Sequence, residues 1–171
     1  RVGFDQPKSG WLLTHRVPRP ARPTHKAWSY LPALNAVGLS ASASPYEYTV
    51  TPEEREWARR FLTSTCEAFS VRERAPDAAR RPLAILHPGA NWPHKRWAAD
   101  RFAALGDRLV SAHQVRVVIT GGPDDVTLAE SIRRAMRQPG ILVAGKTTLR
   151  QLGALLEHVQ LVVSSDTGIL H

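Results

Sequence analysis

The sequence predicts an α/β fold: a Rossmann-like parallel sheet over residues 83–171, preceded by an irregular segment rich in Pro and Ser. Three observations carry that expectation. From Leu83 onward, strand-length apolar runs alternate with amphipathic helical patterns in the order β-α-β-α-β-α-β, which calls for a parallel sheet with right-handed crossovers. One of those runs, "VRVVIT" (Val115 to Thr120), is almost entirely β-branched, as in a strand covered on both faces. Finally, all four runs end in small or polar turns, "HPGAN", "TGGPDD", "AGKTT" and "SSDTG".

The elements follow in order. Within residues 1–50 one short helix is expected at "AWSYLPALNAVGL", stopped by Gly38. "TPEEREWARRFLTSTCEAF" opens with a clear start signal: Thr51 as cap, Pro52 in the first helical position and Glu54 closing a capping box. Trp57, Phe61 and Leu62 share one face of that helix. Residues 71–82, "VRERAPDAARRP", lack an apolar period and read as a linker. "LAILH" is then a buried strand, and "WAADRFAALGDRLVSAH" a helix with apolar positions 98, 102, 105 and 109. After the second strand, "DDVTLAESIRRAMR" turns Leu128, Ile132 and Met136 inward. "GILVAG" is the third strand, "TLRQLGALLEHV" a helix opened by a Thr148/Gln151 capping box, and "LVVSS" the fourth strand.

Composition narrows the class. A formal charge of +8 invites a nucleic-acid reading, but the cations are dispersed, with Arg55, Arg59, Arg133 and Arg137 at solvent-facing helix positions. Only "RVPRPARPTHK" is locally basic, and its prolines make it a loop. No nucleic-acid partner is therefore expected, whereas an anionic substrate or an anionic membrane face suits the charge. The lone Cys66 cannot make an intramolecular disulfide, and no Cys/His spacing suggests a metal site. No run reaches membrane-spanning length, and a cytoplasmic setting is expected.

The chemistry gathers at the carboxyl ends of the strands, where open parallel sheets bind ligands. Three of the four turns lead into helices, whose free N–H groups and positive dipole ends attract anions. Gly89 and Ala90 would clear space for a phosphorylated ligand, with Lys95 or Arg96 supplying positive charge. Gly121 and Gly122 make a turn, Asp124 and Asp125 sit where helix caps sit, and Gly168 is expected at positive φ. One competing pattern is "GILVAGKT", Gly140 to Thr147, which satisfies G-x-x-x-x-G-K-[ST]. A phosphate-binding loop of that type needs its four middle residues in a loop after a strand. Here they are Ile-Leu-Val-Ala, themselves a strand, so the match is read as accidental and Lys146 as a loop lysine.

"HPGANWPHKRWAADRFAALGDRL", "VVITGGPDD" and "LVAGKTTLRQLGALLEHVQLVVSSDTGILH", taken together, resemble the ADP-heptose:lipopolysaccharide heptosyltransferase family, with D-T-G-x-x-H (Asp166 to His171) the most specific element. "RVGFD" and "VTPEEREWARRFL" are similar to the end of that family's N-terminal domain and its lead-in helix. The resemblance implies the two-domain GT-B architecture, with residues 1–70 as the remnant of an acceptor-side domain, 71–82 as linker and 83–171 as a nucleotide-sugar-binding domain. Because the chain starts at Arg1 without Met and stops at His171 immediately after the motif, it is expected to be a truncated piece of such an enzyme, inactive alone.

By the same resemblance, Gly89, Ala90, Asn91 and Lys95 match a phosphate-contacting loop, with Lys95 stabilising the leaving group. Gly121 and Gly122 count among the substrate-binding residues, either Asp124 or Asp125 falls near the residue that holds the nucleoside, and Asp166, Thr167, Gly168 and His171 match the motif that grips the diphosphate and sugar. The family's general base is an aspartate early in the N-terminal domain, so none is assigned in this chain. The implied reaction is inverting transfer of a heptose from an ADP-sugar donor to the lipopolysaccharide core, without an obligatory metal. Peripheral contact with the inner membrane is a further expectation.

Overall fold

The computed structural model describes residues 1–8, 10–19, 28–40, 42, 48–73 (side chains through 65) and 81–170. It divides into two compact units, residues 1–47 and 48–171.

In the first unit, β1 (Val2–Phe4) pairs in parallel with β2 (His15–Val17). The short helix α1 (Leu31–Asn35) follows a 3-10 turn over Trp28–Tyr30. Gly38, at φ 82°, takes the chain out of it, which only glycine does at no steric cost.

The second unit begins ahead of α2 (Pro52–Glu73), and the capping box read from the sequence is formed. Thr51 N–H donates to Glu54 Oε2 at 2.8 Å, and Glu54 N–H to Thr51 Oγ1 at 3.3 Å. Four strands follow: β3 (Leu83–His87), β4 (Arg116–Ile119), β5 (Ile141–Leu142) and β6 (Leu161–Ser164). They are linked by α3 (Ala99–His113), α4 (Val126–Ala135) and α5 (Leu149–Leu156). All pairings are parallel, and the spatial order is β5-β4-β3-β6. The sheet is thus first built outward on one side of β3 and then on the other, which puts a topological switch point between β3 and β6.

The side-chain period of two sorts the core into two layers. Ala84, Leu86, Val117 and Ile119 point to the face covered by α3 and α4, where Phe102, Ala103, Ala129, Ile132 and Met136 are buried. Leu83, Ile85, Val118 and Val143 point to the other, closed by Leu152, Ala154 and Leu155 of α5 and by Trp57, Ala58, Phe61 and Leu62 of α2.

This packing redraws the domain boundary. The lead-in helix belongs to the sheet unit, because its apolar stripe completes the second core layer; the units part at residue 47 and not within 71–82. Of the expected linker, residues 71–73 complete α2 and 74–80 lie outside the described residues. Among the described residues, no helix is long and apolar enough to cross a membrane.

Candidate functional site

Four polar loops meet at the carboxyl edge of the sheet, and two of them flank the switch point. The loop after β3 is held to the loop after β6 by a short set of bonds: Ser165 N–H donates to His87 O at 3.1 Å, and Ser165 Oγ donates to Pro88 O at 2.9 Å. Farther out, Lys95 Nζ lies 2.8 Å from Asp166 Oδ2. Lys95 is fixed by the 3-10 turn Pro93–Lys95, in which its N–H donates to Trp92 O at 3.0 Å. Trp97, at the end of this loop, packs edge-to-face on the buried Phe102 with ring centroids 5.2 Å apart, anchoring the loop to the core.

A cleft of about 350 Å³ opens between these loops, lined by His87, Gly89, Ala90, Asn91, Arg96, Asp124, Asp125 and Thr167. Asp125 organises one wall. Its Oδ2 accepts from Gly122 N–H at 3.0 Å, and its Oδ1 lies 3.9 Å from Arg96 Nη2. Arg96 Nε in turn donates to Ala90 O at 2.9 Å. Gly89 allows a close approach here: a Cβ on it would collide with the Asp125 carboxylate. At the base, His87 Nδ1 and Thr120 Oγ1 share a hydrogen bond of 2.9 Å between adjacent strand ends. Burial pushes the His87 imidazole below its ordinary pKa, opposed by the negative charge of Asp125. A second recess of about 240 Å³ adjoins the cleft, bounded by Asn91, Trp92, Lys95, Asp166, Thr167 and Gly168.

The residues singled out from sequence separate into three groups. Gly89, Ala90, Asn91, Asp124, Asp125 and Thr167 line the cleft, and Lys95, Asp166 and Gly168 the recess beside it. Gly121 and Gly122 line neither; Gly122 holds Asp125, and Gly121 O accepts from Gly145 N–H at 3.0 Å, so both position the wall from behind. His171 lies outside the described residues.

One backbone expectation is corrected. Gly168 is not at positive φ: it begins a 3-10 turn over Gly168–Leu170, and Gly145 (φ 73°) is the glycine at positive φ in this unit. Sequence reasoning left His87 and Trp92 out of the site, the first reading as a strand terminus, and of its two alternative cations the fold puts Arg96 in the cleft and Lys95 in the recess.

The competing phosphate-loop pattern is absent in three dimensions. Ile141 and Leu142 are β5, Val143 N–H donates to Ile119 O at 2.9 Å, and Gly145 and Lys146 N–H groups are also spent on backbone carbonyls. Gln151 N–H is capped by Thr148 Oγ1 at 3.1 Å. The N–H groups of Val143, Gly145, Lys146, Thr148 and Gln151 are thus engaged within the chain and do not curl around a phosphate.

A parallel sheet with a polar cleft at its switch point defines a Rossmann-type ligand-binding unit. The chain belongs to glycosyltransferase family 9 (heptosyltransferase), whose sequence model matches residues 1–171. It is 23% identical over its whole length to lipopolysaccharide core heptosyltransferase OpsX of Haemophilus influenzae, of which it spans 46%. It is 34% identical over 90 residues to lipopolysaccharide heptosyltransferase 3 of Escherichia coli, a match covering 51% of this chain and 26% of that one. In structure it is similar to the glycosyl transferase family 9 protein of Veillonella parvula, with TM-score 0.72 and 25% identity over 91% of this chain and 42% of that one. It is also similar to E. coli ADP-heptose lps heptosyltransferase II, with TM-score 0.59 and 25% identity over 80% and 38%. The fold class expected from sequence holds: α/β, with the Rossmann-like parallel sheet of the GT-B enzymes to which it is similar. The chain spans about half the length, or less, of these relatives.

Proposed function

We propose that this chain forms the donor-binding part of an inverting glycosyltransferase that passes a heptose from ADP-heptose to the lipopolysaccharide core. The observation that carries the reading is the switch-point cleft, which gathers the small residues Gly89 and Ala90, the cation Arg96 and the carboxylates Asp124 and Asp125, with Lys95 in the adjoining recess. In this reading Asn91, Lys95, Thr167 and the backbone around Gly89 serve the diphosphate, and Asp124, the more exposed of the two aspartates, the ribose hydroxyls; that these residues line the cleft and the adjoining recess supports it. Asp125 is engaged by Gly122 and Arg96, so it shapes the cleft rather than meeting the nucleoside.

In this reading, charge develops on the diphosphate as the sugar–phosphate bond breaks. Lys95 stabilises it with a preorganised ammonium, so leaving-group departure needs no obligatory metal. The general base comes from outside these residues, the reaction is cytoplasmic, and the lipid-borne acceptor brings the enzyme to the inner membrane. Calorimetric titration with ADP, UDP, GDP and ADP-heptose tests the proposal. Preference for ADP and its sugar supports it; equal or absent binding of all four overturns it.

A further inference from the structure

Trp92 is out of place for a structural residue. It is 61% exposed and belongs to neither core cluster of the described residues, whereas Trp97, 43% exposed, rests its ring edge-to-face on the buried Phe102. Yet it is held in place. Its carbonyl accepts from Lys95 N–H, Pro93 follows it, and the His94 ring lies 6.2 Å from it at 30° between planes. It bounds the 240 Å³ recess together with an amide (Asn91), a carboxylate (Asp166), a hydroxyl (Thr167) and an ammonium (Lys95). The floor of the recess at Gly168 is open, since a Cβ there would meet nothing within 4 Å.

A flat apolar ring next to several hydrogen-bonding groups suits one chemistry above others. A sugar ring has a face of C–H groups, which needs an apolar plate, and a rim of hydroxyls, which needs acceptors and donors. The recess, about 240 Å³, is smaller than the nucleotide cleft of about 350 Å³ beside it and is on the scale of one sugar ring. It shares Asn91 and Thr167 with the nucleotide cleft, so a ring seated in it stays within reach of a diphosphate in the cleft.

We infer that Trp92 is a specificity-determining residue that stacks on a sugar ring in this recess, and that the ring is the one carried by the nucleotide donor. The inference rests on the nucleotide-sugar reading of the cleft. Trp92 itself takes no part in bond making or breaking; it selects a ring with an unobstructed C–H face.

The test is calorimetry on the intact protein with ADP and with ADP-heptose, for wild type, Trp92→Ala, Trp92→Leu and Trp92→Phe. ADP affinity is expected to stay within twofold in all four. The additional affinity for ADP-heptose should fall about three- to tenfold in Trp92→Ala and Trp92→Leu and be largely kept in Trp92→Phe, the scale of one aromatic contact. A parallel arm titrates the deacylated acceptor saccharide in the presence of ADP. Loss confined to that arm overturns the assignment to the donor ring. Equal weakening of ADP and ADP-heptose, no change in either arm, or a Leu variant as good as Phe overturns stacking. Wild type that binds no ADP at all defeats the nucleotide reading itself, a result distinct from ADP binding without a Trp92-dependent increment.

Discussion

Lys95 and Asp166 form a 2.8 Å ion pair that joins the loop after β3 to the loop after β6 across the switch point. The cation that the nucleotide reading assigns to the diphosphate is thus already engaged by a carboxylate. Its side chain is 39% exposed and that of Asp166 69% exposed, so the pair is solvated and cheap to exchange. In that reading a diphosphate, which carries more charge than one carboxylate, replaces it.

From this exchange follows the behaviour of two variants. Asp166→Asn removes the competitor and a like charge near the phosphates. ADP binding should tighten by up to about fivefold, the equivalent of about 1 kcal/mol for a solvated pair. Lys95→Ala should lower turnover of the intact enzyme by about ten- to a thousandfold, as expected for one charged transition-state contact, with the fold unchanged. Calorimetry and steady-state kinetics read the two effects; weaker ADP binding in Asp166→Asn would show that the carboxylate holds the loop rather than competing for the lysine.

Gly89 offers a steric test of the cleft wall. An added Cβ would collide with Asp125 Oδ2, and the Asp125 side chain cannot withdraw without giving up Gly122 N–H. Gly89→Ala should therefore cost at least tenfold in ADP affinity, while the two core layers, which it does not touch, keep secondary structure intact. Circular dichroism alongside calorimetry separates lost binding from lost folding. Undiminished affinity would place the nucleotide elsewhere.

How much of this was legible beforehand differs by level. The sheet was readable because buried parallel strands such as Leu83–His87 and Arg116–Ile119 are local apolar runs, and the Thr51/Glu54 and Thr148/Gln151 caps are local signals four residues long. Strand order was not readable, since nothing local says that β6 pairs with β3 and not β5, and the switch point depends on that order. The role of α2 was hidden for the same reason: Trp57 and Phe61 show an apolar face but not the α5 layer that covers it. At the site, the loops were found from composition. The partners Arg96–Ala90, Asp125–Gly122 and His87–Thr120 required the fold, and the sign of φ at Gly168 required the backbone.

The G-x-x-x-x-G-K-T pattern and the D-T-G turn make opposite predictions. Lys146 is exposed, and the N–H groups around it are committed to the sheet and to the Thr148 cap. Lys146→Ala should leave ADP affinity within twofold. Gly168→Val should leave the thermal midpoint nearly unchanged, since Gly168 is not at positive φ and open space surrounds it, as with surface substitutions generally. ADP-heptose affinity should nevertheless fall at least tenfold, because the branched side chain fills the recess. A strong loss in Lys146→Ala with none in Gly168→Val would reverse the assignment.

His87 gives the site a pH signature whose sign is fixed by its burial. The imidazole sits at the base of the cleft against Thr120, and burial lowers its pKa, with Asp125 pulling weakly the other way. Below the ordinary value of 6.5, the unfolded chain takes up a proton at this position that the folded chain resists. Stability linked to His87 is therefore fully present above that value, and it falls as the pH drops from there toward the lowered folded-state value. His87→Gln removes the titration and costs packing at all pH values. The wild-type thermal midpoint should exceed that of His87→Gln at pH 7.5, and the gap should narrow at pH 5.5, by roughly 2–4 °C for each kcal/mol of linkage. A gap that widens on acidification would mean that the folded protein takes up the proton more readily than the unfolded chain, and that Asp125, not burial, sets the charge of His87.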